Sequence, residues 1–283
     1  MKKLFLILFA TILVTAVAKP VVAQVVDGPY QKRITRDRKP APLPTVREAD
    51  VFWSKTIWRI IDLREKMNQD LYYPTREMHG RMSLINVLLK GIKEGQITAY
   101  DATTDNEFKL PMTFDQVKEA FGATTKVVER RNFETGEMEN VTVNQDINPE
   151  DIKQIMVKEV WYFDKQTSTL QVRIIGLCPI QEFFRDDDVN HDRPLRRKVF
   201  WVYYPEARPL LAKYEVLNPD NDSRSLSFDD VFLTRKFDSY ISQESNIYNN
   251  RAIIQYASGQ YAASESDRIK NEIFNFEQDL WEY

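Results

Sequence analysis

The sequence predicts an α+β fold: a mainly antiparallel central sheet flanked by N- and C-terminal helices. Three observations predict it. Apolar residues recur at helical spacing towards both ends, they alternate along short runs through the middle, and no stretch after the first 23 residues is long and apolar enough to span a membrane. With 43% hydrophobic and 12% aromatic residues, the chain belongs with core-forming proteins rather than disordered ones.

The chain opens with Lys2 and Lys3, an apolar run from Leu4 to Val17, and Val21 and Ala23 at the small-residue positions before a cut. That is the pattern of a secretory signal peptide over residues 1–23. A lipid anchor would need a cysteine after the cut, but Gln24 follows and the sole cysteine is Cys178. Membrane attachment is therefore expected through a partner, without direct insertion. One cysteine also excludes an internal disulfide, so stability falls to the packed core.

Residues 24–45 read as a basic, proline-containing extended arm, because Pro40, Pro42 and Pro44 alternate with small or apolar residues. Lys32, Arg33, Arg36, Arg38 and Lys39 are opposed there only by Asp27 and Asp37, which gives the arm +3. The whole chain carries −3, and −6 without the leader's Lys2, Lys3 and Lys19, so −9 remains on the rest. A cationic arm on an anionic body predicts contact between the two. The overall negative charge argues against nucleic acid as a partner.

Residues 46–283 are expected to form one α+β domain, with natural points of subdivision near 125 and 205. Trp53, Ile57, Ile60 and Ile61, with Arg59, Asp62, Arg64 and Glu65 between and after them, predict an amphipathic helix from near Glu48 that breaks at Leu71–Pro74. A second helix is predicted from Ser83 to Glu94, with Leu84, Leu88 and Ile92 on one face and Gly95 at its end. Gln96–Tyr100 reads as a short strand, and Thr113 with Gln116 makes a capping box for a short helix ending at Gly122.

The period then changes. Val127 and Val128, with Val141 and Val143, predict a hairpin around Thr135 and Gly136, and Asn148-Pro149 a helical turn. Runs from Ile155 to Phe163 and from Leu170 to Ile175, joined by the turn-prone Lys165–Ser168, predict an antiparallel pair. Val199–Tyr204 is apolar on both faces and is expected inside the sheet, covered on both sides. Three helices are predicted beyond Pro205: Phe228–Ile241 capped by Ser227, Asn246–Ala257, and a last one capped by Ser264 with Asp267.

The motifs point away from metal and cofactor chemistry. Asp186, Asp188, Asn190 and Asp192 alternate as in a calcium loop, but its sixth and twelfth positions are His191 and Arg197 rather than glycine and an acid. Arg185, Arg193, Arg196 and Arg197 make it read as a solvated, arginine-paired loop. His79 and His191 are the only histidines, and Cys178 lies in an apolar run, so neither zinc nor a reactive thiol is expected. The eight glycines form no GxGxxG, GxxxxGK or GxSxG. No metal, cofactor or catalytic residue is assigned.

The last helix is more informative. Ile269, Ile273, Phe276 and Leu280 share one stripe, while Phe274 and Trp281 lie about 120° to 140° away. Two apolar flanks need two covers. Either both are buried in one core, or Phe274 and Trp281 anchor a neighbouring subunit.

The run Phe52-Trp53-Ser54-Lys55-Thr56-Ile57-Trp58-Arg59-Ile60-Ile61-Asp62-Leu63-Arg64-Glu65, then Leu71-Tyr72-Tyr73-Pro74, resembles the GldN/PorN family. Lys198-Val199-Phe200-Trp201-Val202-Tyr203-Tyr204-Pro205-Glu206-Ala207-Arg208 and Ser227-Phe228-Asp229-Asp230-Val231-Phe232 are similar too. The resemblance implies a subunit of a periplasmic ring in the type IX secretion and gliding motility machinery. It implies an outer-membrane lipoprotein partner of the GldK/PorK type, contact with the periplasmic part of a GldM/PorM-type motor protein, and self-association. The missing lipid-anchor cysteine agrees with it.

The leading expectation is thus a protein that holds other proteins and is no enzyme, with Lys32, Arg33, Arg36, Arg38, Lys39, Phe274 and Trp281 as candidate partner-binding residues. The alternatives are a periplasmic carboxylate-based hydrolase, which no motif supports, and a carbohydrate- or peptide-binding module. Trp161, Trp201 and Tyr203 decide the last: lining an open groove favours it, and burial counts against it.

Overall fold

The first long element is a strand. A computed structural model describes residues 37–78, 80–103, 108–123, 125–131, 138–144, 147–184, 194–217 and 226–280. The leader, Lys32, Arg33 and Arg36 of the arm, His79, the acidic cluster from Asp186 to Asp192 and Trp281 lie outside the described residues. Strand β1 (Val51–Asp62) occupies the place of the helix expected from near Glu48 to the break at Leu71–Pro74. Its pattern misleads because Trp53, Ile57 and Ile61 are four apart, a spacing that keeps side chains on one face of a helix and of a strand alike. The residue types settle the matter: Val51, Phe52, Trp53, Thr56, Ile57, Trp58, Ile60 and Ile61 are β-branched or aromatic, and both faces are covered.

Helix α1 (Gln69–Tyr72) is one turn long and fills part of the expected break. Helix α2 (Leu84–Lys93) is capped by Ser83, whose hydroxyl accepts from the Asn86 amide. Strands β2 (Ala99–Asp101) and β3 (Pro111–Met112) follow, then α3 (Phe114–Ala120) with its Thr113–Gln116 capping box formed as predicted. Gly95 and Gly122 end these helices at φ 70° and 76°, where a side chain would be strained. Strands β4 (Thr125–Arg131) and β5 (Met138–Asn144) make the expected separate hairpin, and a 3-10 turn at Pro149–Asp151 leads into the sheet.

Strands β6 (Ile152–Asp164) and β7 (Thr169–Phe183) pair antiparallel over nearly their whole length, longer than the alternation alone indicates. Beyond them come β8 (Leu195–Lys198) and β9 (Phe200–Tyr203), helix α4 (Tyr204–Leu211), the short pair β10 (Glu215–Val216) and β11 (Leu226–Ser227), and helix α5 (Phe228–Leu233). Strand β12 (Tyr240–Glu244) and helix α6 (Gln260–Asp279) complete the order. Among the described residues the main sheet has eight strands in the order β12-β1-β6-β7-β9-β2-β3, with β8 also on β7. Its described ladders are all antiparallel, so the chain is α+β as predicted.

Three predictions at the carboxyl end need correction. The Ser227-capped helix stops at Leu233 instead of Ile241, because Arg235 enters the left-handed region at φ 55° and the Lys236 amide turns back to the Val231 carbonyl. Asn246–Ala257 is a loop with only a 3-10 turn at Ile253–Gln255. There Asn249 and Asn250 have φ 56° and 55°, and the Asn246 side chain accepts from the Tyr248 and Arg251 amides, so asparagines out-compete the helix. The last helix starts at Gln260 after Gly259, which leaves Ser264 inside it.

Three apolar clusters hold these elements. On one sheet face Ile61, Ile155, Val157, Leu177, Phe200 and Val202 share a core with Leu84 and Leu88 of α2, Leu211 of α4, and Phe228 and Phe232 of α5. On the other, Trp58, Met156, Cys178 and Trp201 pack with Phe108. At the β12 end, Ile57, Ile241 and Ile253 pack with Ile269 and Ile273 of α6. Each such side chain removed from water contributes about 1.5–3 kcal/mol. Phe200, Trp201 and Val202 are all buried, as expected of a strand covered on both sides.

Candidate protein-binding surfaces

Helices α4 and α5 together build a clamp for the arm. Pro205 presets the first turn of α4, and Tyr204 and Arg208, four residues apart, share one face. Ser227 and Asp230 form a reciprocal capping box at the start of α5, which leaves the adjacent Asp229 pointing at α4. The buried Asp229 carboxylate accepts from the Tyr204 hydroxyl at 2.8 Å and from Arg208 Nε and Nη2 at 2.8 and 3.0 Å. Burial, then the adjacent carboxylate, pushes the Tyr204 pKa up. Burial works against the Arg208 charge, but the hydrogen bonds and attraction of Asp229 outweigh it and hold its pKa above the ordinary value.

Arg208 is thereby fixed with a donor facing outward, and Nη2 also donates to the Ala41 carbonyl at 2.6 Å. Arg38 forms an ion pair with Asp230 at 2.8 Å, and Arg173 donates to the Pro44 carbonyl at 2.6 Å. The described part of the arm thus meets the body, with one contact, Arg38 to Asp230, between an arm cation and a body anion; in the other two, body arginines take neutral carbonyls of the arm. Arg38 is in this contact, whereas Lys39 is exposed. Lys32, Arg33 and Arg36 belong to the residues that are not described. The clamp itself was not legible: Arg208 and Asp229 lie in the strings that carry the family resemblance, but nothing in the sequence brings them together with each other or with Arg173.

The second surface is the carboxyl-terminal layer. Ile269 and Ile273 are buried, and Phe276 stacks on Trp53 with ring centroids 4.5 Å apart, so the predicted inner stripe of α6 is met by the sheet. Phe274 is 55% exposed, so the two flanks do not share one core. Trp281 falls beyond the described residues. Sequence reasoning missed Ile247, Tyr248, Ile254 and Tyr261, which are also exposed, Ile247 to 90% and Tyr261 to 81%. The helix expected over 246–257 hid Ile247, Tyr248 and Ile254, and the signal available was the asparagine cluster. Tyr256 and Tyr261 line an open cleft of about 550 Å³ with Ser264, Glu265 and Arg268, in which Arg268 donates twice to Glu265, at 3.0 and 2.9 Å.

Charge is also buried between the layers. The fully buried Glu159 carboxylate accepts from Arg235 at 2.7 and 3.3 Å and lies 2.6 Å from Arg59 Nε, off the hydrogen-bond direction. Both guanidinium groups lie over the Trp161 ring, at 5.7 and 5.5 Å. Trp161 is therefore half covered, Trp201 is fully buried, and only Tyr203 is open, at 40% exposure. The three do not line a groove together. Among the described residues no cluster of three or more His, Cys, Asp or Glu could hold a metal, and no helix is long and apolar enough to cross a membrane. Burial pushes the Cys178 thiol up to about 12.

Residues 46–282 match the family described as gliding motility associated protein GldN. The chain belongs to the GldN family. It is accordingly a component of the gliding motility and type IX secretion machinery, in a family of structural parts and not one known for catalysis. No curated protein matches the chain. The strings that resemble GldN fall on β1, on β9 with α4, and on α5, so the same residues form two strands of the main sheet and the arm clamp.

Proposed function

We propose that the chain is a structural subunit of a periplasmic ring in this machinery. It is exported by residues 1–23, and residues 46–283 act as one body with the arm 24–45 attached. It is held at the outer membrane by a lipoprotein of the GldK/PorK type and contacts the periplasmic part of a GldM/PorM-type motor protein. The observation that carries the reading is the carboxyl-terminal layer, which holds Ile247, Tyr261, Ile254 and Tyr248, the most exposed large apolar side chains among the described residues, together with Phe274. Exposed aromatics of this kind are used for partners. The arm, with Lys32, Arg33, Arg36, Arg38 and Lys39, supplies a second and chemically different surface, as a ring of identical copies requires.

The test is isolation of the tagged mature protein from detergent-treated envelopes. A stoichiometric complex with a lipoprotein is expected. Changing Phe274 and Trp281 together to serine should give a folded chain by circular dichroism that leaves the complex. Recovery of the wild-type chain alone, as a monomer, rules the ring out.

A further inference from the structure

The contacts that hold the arm share two properties. They are directed at its main chain or at one charge: Arg208 and Arg173 take the carbonyls of Ala41 and Pro44, and Asp230 takes Arg38. They also come with little apolar cover, since none of the residues from Asp37 to Arg47 is fully buried and only Pro40, Leu43 and Val46 among its apolar residues are half-buried. The clamp, by contrast, is built in advance, because Asp229 and Tyr204 lock Arg208 inside the body. A fixed receptor therefore holds a ligand whose release little buried apolar surface opposes.

The arm is also stiff, with Pro40, Pro42 and Pro44, and it joins the body through the short stretch Thr45–Arg47. The 3-10 turn that follows, Glu48–Asp50, is pinned by the Lys165 amide on the Asp50 carbonyl and by Gln166 on its carboxylate. Stiff segments on short hinges favour exchange between copies, because the same contacts form with a neighbour at little cost.

We infer that in the assembled protein the clamp of Arg208, Asp229 and Asp230 holds the arm of a second copy. The inference rests on the ring reading and gives it a joint. Arm and clamp are different surfaces of one chain, so passing the arm to a neighbour makes a head-to-tail contact that repeats around a closed ring. Charge favours the exchange. A ring sets bodies of net −9 side by side, and a +3 arm crossing each junction offsets the repulsion, whereas an arm folded onto its own body leaves the junction bare.

The experiment uses two differently tagged full-length copies produced together, one with Lys39→Cys, at an exposed position that leaves the Arg38 ion pair in place, and the other with Thr234→Cys. Thr234 is exposed and lies one turn beyond Asp230, so its change spares the capping box. Cys178 is fully buried and should not react. After treatment of intact envelopes with a short bismaleimide, a linked dimer bearing both tags is expected, and neither chain can produce it alone. Absence of that band overturns the inference if wild-type tagged copies still copurify and a chain carrying both changes links within itself. A doubly changed chain that links in neither way overturns it too, since the clamp then holds no arm. Tagged wild-type copies that fail to copurify overturn the ring reading, and the exchange with it.

Discussion

At the scale of single residues, the buried charges dominate. Glu159 is diagonal to Arg59 across the β1–β6 ladder, with Ile57 and Val157 as their direct partners, so the ion pair is written into the register. Arg235 completes it from the end of α5. Glu159→Gln leaves two guanidinium groups against one neutral amide, and breaking a buried pair in this way costs about 3–5 kcal/mol. The urea midpoint of that variant should fall accordingly, and a fall of only a few tenths of a kcal/mol would show that water reaches the site. Asp62 gives a pH signature. Hydrogen bonds from the Arg64 guanidinium hold its carboxyl down to about 2. The full shift would correspond to about 2.5 kcal/mol, but Arg64 is half in solvent, so screening leaves about 1. Because folding lowers this pKa, the contribution is complete above about pH 4 and is lost as the pH falls towards about 2. Asp62→Asn should therefore be less stable than wild type near pH 7, with the gap in urea midpoint closing as the solution is acidified. A gap that does not change with pH would remove Arg64 as the cause. The pairing of Glu159 with Arg59 was not legible in the sequence, since an ion pair across a ladder depends on register, which composition does not encode.

At the scale of elements, the helix ends show what sequence can and cannot reveal. Three helices close with the same return bond, Gln96 to Gly91, Ala123 to Lys118 and Lys236 to Val231. The first two were legible because glycine occupies the left-handed position. The third was not, because Arg235 stands there, in a conformation that costs about 1–2 kcal/mol for a side chain. Its two bonds to Glu159 help to offset that cost. Strand β1 was misread because its spacing of four satisfies both periods, whereas β6, β7 and β9 had no rival reading. Helix packing supplies a further test. A Cβ on Gly91 of α2 would come 2.3 Å from Leu210 Cδ2 and 3.1 Å from Ile97 Cγ1. Alanine in place of glycine gains about 1 kcal/mol in a helix, but overpacking a filled core costs about 1–3. The crowding should win, and Gly91→Ala should lower the melting temperature. A rise would mean that Leu210 moves aside freely.

At the scale of the whole molecule, the fold class and the family were legible because the resembling strings lie on ordered elements. The candidate surfaces were legible only in part. Charge along the arm and the second flank of the last helix could be seen, while Ile247, Ile254 and the clamp depend on loop shape and on residues that meet only after folding. Removing Val25–Pro44 takes away the Arg38 ion pair and the carbonyls of Ala41 and Pro44, but, among the described residues 37–44, no fully buried side chain. Stability should therefore drop by no more than about 1–2 kcal/mol, while the truncated chain fails to enter the complex, and raised salt weakens wild-type assembly in the same direction. Normal assembly of the truncated chain would retire the arm. The sheet order has one more consequence. Strand β1 sits between β6 and β12, and its bonds to the latter join residues 184 and 189 positions apart. An early strand that waits for a late one gives the chain a high contact order and slow closure. A polypeptide emerging amino end first can pair β1 with β6 once Asp164 is free, but leaves its other edge open until Glu244 follows.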